Sequence, residues 1–428
     1  MLLGSCFGEQ RSPRGAGFAP SSDVSNQALI VAMMLLGLVL TALTVLLWLP
    51  NLLEIFALGR WAFRSSRKDA SEWGARPLPR LVFLVPAHDE ELLVADTVRS
   101  LLAMDYPAEL RRVVVIADNC ADQTATRATA AGADCIERSN PDLRGKQHAL
   151  SWAFKQIDLS DVNACVIIDA DTLVSSGFAR GLAAVGPLED IAVTVSTLTL
   201  NEWDTWMTRL TGLLARSRLD VTYRILEMGG LNVPLSGMAC LGRNLLLPNG
   251  WQAFSLTENW ELYARYTAEG IRIRFAPEAK VYTQLPRTMQ QGQAQRSRWL
   301  AGRTWVLRAW GGRIWRSPHA STLDKFATLV WLAGLSPVLQ LVAAVCVALP
   351  SLLLPTPWGQ WLALAAISSM ASQIVATTIA LARHPQPGAT LSAFMRLPMY
   401  AVWRVSLAIA TSLRSGTGEW QRTERHSI

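Results

Sequence analysis

Val166-Ile-Ile-Asp-Ala-Asp-Thr172 decides the architecture of this chain. Cys165 to Ile168 run without a polar break, as a strand buried on both faces does. The run ends in Asp169 and Asp171, separated by one alanine. In extended backbone, residues i and i+2 point the same way, so both carboxylates are expected to face one point at the strand's carboxyl edge. Open α/β sheets bind ligands at that edge. Paired carboxylate oxygens are hard donors, suited to Mg²⁺ or Mn²⁺ bridging to phosphate. A strand that merely ends in a polar turn has the same sequence, since Asp is a frequent turn residue. The flanking segments separate the two readings.

Upstream, Arg144-Gly145-Lys146 stands at the start of a helix, after a short strand near Cys135. Arg112–Asp118 is another strand, followed by Asp118-Asn119-Cys120-Ala121-Asp122 and an alanine-rich helix. Leu81–Ala87 is a buried strand, and His88-Asp89-Glu90-Glu91 leads from it into a helix-period stretch to about Met104. Strand and helix alternate, which implies an α/β domain on a parallel sheet with right-handed crossovers. Neither G-x-G-x-x-G nor a Walker loop occurs, which argues against NAD and P-loop chemistry. Asp118 ends its strand where a carboxylate can accept an imide N–H, while Asp122 suits a helix cap. Pro86 and Ala87 place a tight turn after the first strand. Asp89 and Glu90 either meet a ligand or favour the following helix N-terminus. Lys146 can meet phosphate together with free backbone N–H groups, or be a solvated lysine.

Downstream, Ile191–Leu200 reads as a strand and Asn201–Met228 as a long helical segment, with Trp203 and Trp206 as packing residues. Ser236-Gly237, within Pro234–Arg243, lets backbone approach a ligand closely. Thr257-Glu258-Asn259 opens an amphipathic helix running to Glu269, with Thr257 as the expected N-cap. Gln295-Arg296-Ser297-Arg298-Trp299 follows. Beyond it Arg303, Arg308, Arg313 and Arg316 alternate with Trp305, Trp310 and Trp315, the pattern of a helix lying in a membrane interface over 301–323.

Composition agrees with a membrane protein. Charged residues are 17% of the 428, below the roughly 25% of a soluble domain, and half the residues are hydrophobic. Val24–Leu53 and Phe326–Ala382 contain no Asp, Glu, Lys, Arg or His. At about 20 residues per span these give one helix (28–58) and a two-helix hairpin (326–382) that turns at Pro350–Gly359. The net charge of +7 is placed as the positive-inside rule requires. The N-terminus is expected outside, and the catalytic region and C-terminus in the cytoplasm, of a multi-pass inner-membrane protein; nucleic-acid binding is not expected. Residues 1–27 read as a disordered tail, 61–80 as a basic linker and 415–428 as a cytoplasmic tail. Arg396, Arg404 and Arg414 interrupt 390–414, which reads as an interfacial or re-entrant helix. Six scattered cysteines offer no metal-ligand spacing.

Residues 81–300 resemble the membrane-bound family 2 glycosyltransferases of GT-A fold, which include cellulose, chitin, hyaluronan and poly-N-acetylglucosamine synthases. The matching pieces, in family order, are V-P-A-H-D-E-E (85–91), A-D-N-C-A-D-Q-T (117–124), R-G-K (144–146), D-A-D (169–171), T-E-N (257–259) and Q-R-S-R-W (295–299). The resemblance implies a UDP-sugar donor bound by Pro86, Ala87, Asp89, Glu90, Asp118, Lys146 and Asp169. It implies Mg²⁺ or Mn²⁺ on Asp169 and Asp171, and Gln295, Arg298 and Trp299 at the departing diphosphate and the acceptor sugar. The family's third motif is usually T-E-D, with Asp as general base. Here the position is Asn259, and an amide cannot take a proton at neutral pH, so Glu258 becomes the substitute base. The implied activity is inverting, metal-dependent transfer to a polysaccharide or membrane lipid at the cytoplasmic face. The alternatives are a single-step glycolipid transferase and a catalytically silent sugar-nucleotide-binding subunit. Three spans make a thin channel, so export of a polymer implies a partner or a homo-oligomer.

Overall fold

The structure, a computed structural model, describes residues 22–64, 77–247 and 249–413. Most of the expected tail 1–27, most of the linker 61–80 and all of 415–428 lie outside the described residues. The first helix begins at Ser22, inside the stretch expected to be a tail, and runs unbroken to Arg64.

Eight strands form one sheet: β1 Leu81–Ala87, β2 Arg111–Asp118, β3 Asp134–Arg138, β4 Ala164–Ile167, β5 Thr172–Val174, β6 Ala192–Thr199, β7 Ala239–Gly242 and β8 Ile273–Thr283, in the order β3-β2-β1-β4-β7-β6-β8-β5. β1, β2, β3 and β4 pair in parallel, as the strand–helix alternation predicts. β7 runs antiparallel to both β4 and β6, and β6 pairs in parallel with β8. The sheet is therefore mixed, mostly parallel, and covered on both faces. Alternation along β1 shows it: Leu81, Phe83, Val85 and Ala87 join one apolar core, and Val82 and Leu84 join the other.

Two details differ from the sequence reading. β4 stops at Ile167, although the Ile168 N–H still donates to the Leu84 carbonyl at 3.0 Å. Asp169 and Asp171 therefore occupy the turn between β4 and β5, closed by the Thr172 N–H on the Asp169 carbonyl at 3.1 Å. The two-residue repeat of a strand does not govern them there, and their environments diverge: the Asp169 side chain is 39% exposed, whereas Asp171 is buried. The second is β8, with Pro277 in its middle. The β6–β8 register slips between Val195 and Ser196, leaving residues 277–279 as a bulge in which a proline costs no ladder bond.

Met289–Arg316 is one 28-residue helix, so Gln295–Trp299 and the Arg/Trp stretch share an axis. The segment expected to start at 301 starts at Met289, because the Thr288 hydroxyl caps the Gln291 N–H at 3.2 Å and no proline intervenes. Two helices, Asn26–Phe63 and Trp358–Ala382, are long and apolar enough to cross a membrane. Thr322–Ala333 and Pro337–Ser351 make a third only if counted together, and they meet at an 84° bend. The chain after Trp358–Ala382 is tied to the sheet domain by buried His384, whose Nε2 lies 2.9 Å from Glu202 Oε1. Trp206 packs edge-on against Tyr400 and Trp203 against His384, consistent with packing roles.

Candidate active site

The turn after β4, the start of helix Lys146–Ala153, the loop before β7 and the start of helix Glu258–Ala268 converge on one point. Gly145 makes the approach possible: its φ of 110° lies in the left-handed region, and it starts the helix directly at Lys146. Lys146 Nζ donates to Asp169 Oδ1 at 2.6 Å and to the Gly237 carbonyl at 2.9 Å, with Glu258 Oε1 at 3.6 Å. Burial works against this ammonium, but the charges of Asp169, Glu258 and Asp171 outweigh it, and the Lys146 pKa is raised. A small cavity beside it is lined by Lys146, Ser236, Gly237, Trp251, Glu258 and Asn259, among others.

Asn259 has a defined task. Its Nδ2 donates to the Leu235 carbonyl at 3.0 Å, pinning the loop that presents Ser236 and Gly237. A carboxylate could not donate that bond. Thr257, expected to cap the helix, makes no side-chain cap bond; instead its side chain lies against Gly302 of helix Met289–Arg316. A Cβ on Gly302 would sit 2.4 Å from Thr257 Oγ1, so this glycine allows the two helices to meet at the T-E-N motif.

A second group lies at the ends of β1 and β2. Asp118 is buried and its Oδ1 accepts from both Arg138 Nη1 and Asn119 Nδ2, the latter at 3.0 Å. Arg138 also donates to the Leu143 carbonyl at 2.9 Å. His88 Nδ1 lies 2.7 Å from the Asp118 carbonyl. Asp89, at a φ of 53°, accepts the Ala121 N–H at 2.7 Å, and the Glu90 N–H donates to Thr124 Oγ1 at 2.8 Å. Asp122 acts as the cap, accepting from the N–H groups of Thr124 and Glu91 at 2.9 and 3.1 Å. Pro86 and Ala87 close β1 beside Ile116 and Ala117.

Gln295, Arg298 and Trp299 lie on the helix that Gly302 docks against Thr257, but they do not line the Lys146 cavity. Trp299 is 44% exposed. Sequence reasoning missed Arg138, the contact of His88 with the Asp118 carbonyl, and the Leu235 carbonyl. Arg138 is the strand-register partner of Asp118, a relation that pairing of β2 with β3 creates.

The Lys146 ammonium lies between the Asp169 carboxylate and the Gly237 carbonyl, so this turn offers hard oxygens to positive charge, the donor type that suits a divalent ion. Among the described residues, three possible ligands draw together elsewhere, at His88, Asp89 and Cys120, within 4.8 Å of one another. Their nitrogen and thiol donors do not suit a hard cation.

Residues 79–302, slightly over half of the chain, match the model of the glycosyltransferase-like family 2, and the chain belongs to that family. It is 24% identical over 282 residues to a Bacillus subtilis protein named "Probable glycosyltransferase YdaM", over 61% of this chain and 65% of that one. It is 26% identical over 245 residues to the poly-beta-1,6-N-acetyl-D-glucosamine synthase of Staphylococcus aureus (strain COL), over 54% of this chain and 56% of the relative. The matched region thus spans less than two thirds of either relative. Among solved structures, a Pyrobaculum calidifontis mannosyltransferase in complex with GDP-Man and Mn²⁺ superposes with a TM-score of 0.48 at 17% identity, over 86% of this chain and 98% of that one. Glucosyl-3-phosphoglycerate synthase from Mycobacterium tuberculosis, in complex with Mn²⁺, UDP and phosphoglyceric acid, gives 0.37 at 23% identity, over 53% and 78%.

Proposed function

We propose that the chain transfers a sugar from a UDP-sugar to a polysaccharide or membrane-lipid acceptor at the cytoplasmic face, with inversion and with Mg²⁺ or Mn²⁺, and that it favours β-linked polysaccharide synthesis. The observation that carries this reading is the convergence of Asp169, Lys146, Gly237 and Glu258 on one point beside Asn259. Asp169 and Asp171 would hold the ion, which supplies charge for a departing diphosphate. Lys146 neutralises the same charge from the helix start. Asp118, held at Oδ1 by Arg138 and Asn119, keeps Oδ2 to accept a uracil N–H. Glu258 is the base: its side chain is 17% exposed, beside the cavity where an acceptor hydroxyl would enter. Proton removal there lets the hydroxyl attack the anomeric carbon from the face opposite the leaving UDP. Arg298 and Gln295 assist the departing diphosphate, and Trp299 offers a face to the acceptor sugar.

The helices Asn26–Phe63 and Trp358–Ala382 support anchoring in the bilayer. A multi-pass arrangement with the N-terminus outside and the C-terminus in the cytoplasm is tested by reporters at both ends; reporters on one side overturn it. Transfer is tested by incubating the purified chain with radiolabelled UDP-sugars and native membrane lipid. Labelled polymer or lipid with stoichiometric UDP release is expected. Binding of UDP with no release from any donor would favour the silent subunit.

A further inference from the structure

Helix Met289–Arg316 presents a second charged face beside its Gln295–Trp299 segment. Arg296 and Arg303 stand seven residues apart, two helical turns, and so lie on the same side. Arg404 reaches the same region from helix Leu397–Leu413, through its bond to Ser336, and the charge of Arg218, on the π-helical turn Arg218–Tyr223, acts on both arginines. Among the described residues, none of the four forms an ion pair with a carboxylate, whereas Lys146, Arg138 and Arg274 all do. Their contacts are neutral. The Arg303 guanidinium donates to the Gly334 carbonyl at 2.5 Å and lies 5.7 Å from the Trp260 ring. Arg404 donates to Ser336 Oγ at 3.3 Å. Arg296 sits over the Tyr400 ring at 5.9 Å, and its Nε is shut off from solvent with no acceptor. Burial, together with the charges of Arg218 and Arg404, brings the Arg303 pKa down to about 10 and lowers that of Arg296. A guanidinium is charged at neutral pH, and among the described residues neither has a carboxylate as counter-charge. Enclosed positive charge of this kind is costly unless an anion completes it.

The place also identifies the anion's carrier. Gly334 and Ser336 flank the 84° break between Thr322–Ala333 and Pro337–Ser351. Ser336 leaves the first turn of the second helix without a side-chain cap, so that helix end also favours negative charge. Leu335, within the break, is 48% exposed. Cationic groups beside an exposed aliphatic side chain suit an amphiphile with an anionic head. Guanidinium forks match phosphate oxygens in particular.

We propose that Arg296, Arg303 and Arg404, with Arg218 at the rim, bind the phosphate of a phosphorylated lipid at the break Gly334–Ser336. This binding does not depend on the donor or acceptor of the transfer reaction. The test is equilibrium binding to the full chain in detergent, using radiolabelled dioctanoyl phosphatidic acid, dioctanoylglycerol and inorganic phosphate, with UDP titrated separately. Saturable binding of the phosphatidic acid is expected, at least about tenfold tighter than either the glycerol lipid or free phosphate. Arg404→Gln and Arg303→Gln should each weaken it about tenfold or more, the worth of one charge-assisted hydrogen bond, with UDP affinity unchanged as the check on folding. Equal binding of the phosphate-free lipid, equally tight binding of free phosphate, or undiminished binding in a variant that still binds UDP would each overturn the proposal. Loss of UDP binding in the wild type would count against the glycosyltransferase reading instead, leaving the lipid comparison intact.

Discussion

The strand ends of the sheet and the Arg296–Arg303 side of helix Met289–Arg316 treat charge in opposite ways. At the strand ends the buried cations have acids: Arg138 has Asp118, and Lys146 has Asp169 and Glu258. Around Gly334–Ser336, arginines gather with carbonyl, hydroxyl and aromatic partners, and among the described residues no carboxylate pairs with them. A compensated site is complete without its ligand and holds its shape while empty. An uncompensated one is repelled from within until something negative arrives. The difference teaches that one chain can enclose both charges that are paired and charges that are not.

The largest effect expected at the strand ends is loss of transfer. Asp169→Ala or Asp171→Ala, or chelation by EDTA, should lower UDP release by roughly 10³-fold or more, as losing several kcal/mol of charge stabilisation implies. Full activity in EDTA would remove the metal from the account. Glu258→Gln should lower turnover by about 10²–10⁴-fold, the usual worth of a general base, with UDP affinity nearly unchanged. An equally fast variant would leave Glu258 as only a partner of Lys146.

The next tests address the comparison itself. Arg138→Met leaves Asp118 buried without its counter-charge and should cost about 3–5 kcal/mol in unfolding. Arg296→Met removes a cation that has no acid, at similar volume, and should be neutral or stabilising by about 1 kcal/mol. Thermal unfolding of the two variants in detergent checks both, and similar losses would erase the distinction drawn here. Between these two in size falls Asn259→Asp. The new carboxylate would face the Leu235 carbonyl in place of a donor, costing about 1–3 kcal/mol of stability. Activation by this variant would show instead that the position still serves as a base site.

The run Cys165–Ile168, the strand–helix alternation from Leu81 and the uncharged stretches were legible because each rests on local periodicity and length. So were Lys146, Asp169 and Glu258 as candidates, since motif order carried them. Asp171 was legible as a residue but not in its setting. The turn that buries it depends on where β1 stops offering carbonyls to β4. Arg138 was illegible because only the register of β2 with β3 sets it opposite Asp118. The arginine cluster combines residues from 218 to 404, whose separation in sequence conceals their mutual repulsion. Sequence by itself determined the α/β class, the apolar helices and the family, because buried periodicity and ordered motifs are properties of the chain. Tertiary structure alone decided which charges are neutralised. Coulomb energy depends on distance and burial through space, and neither is written along the chain.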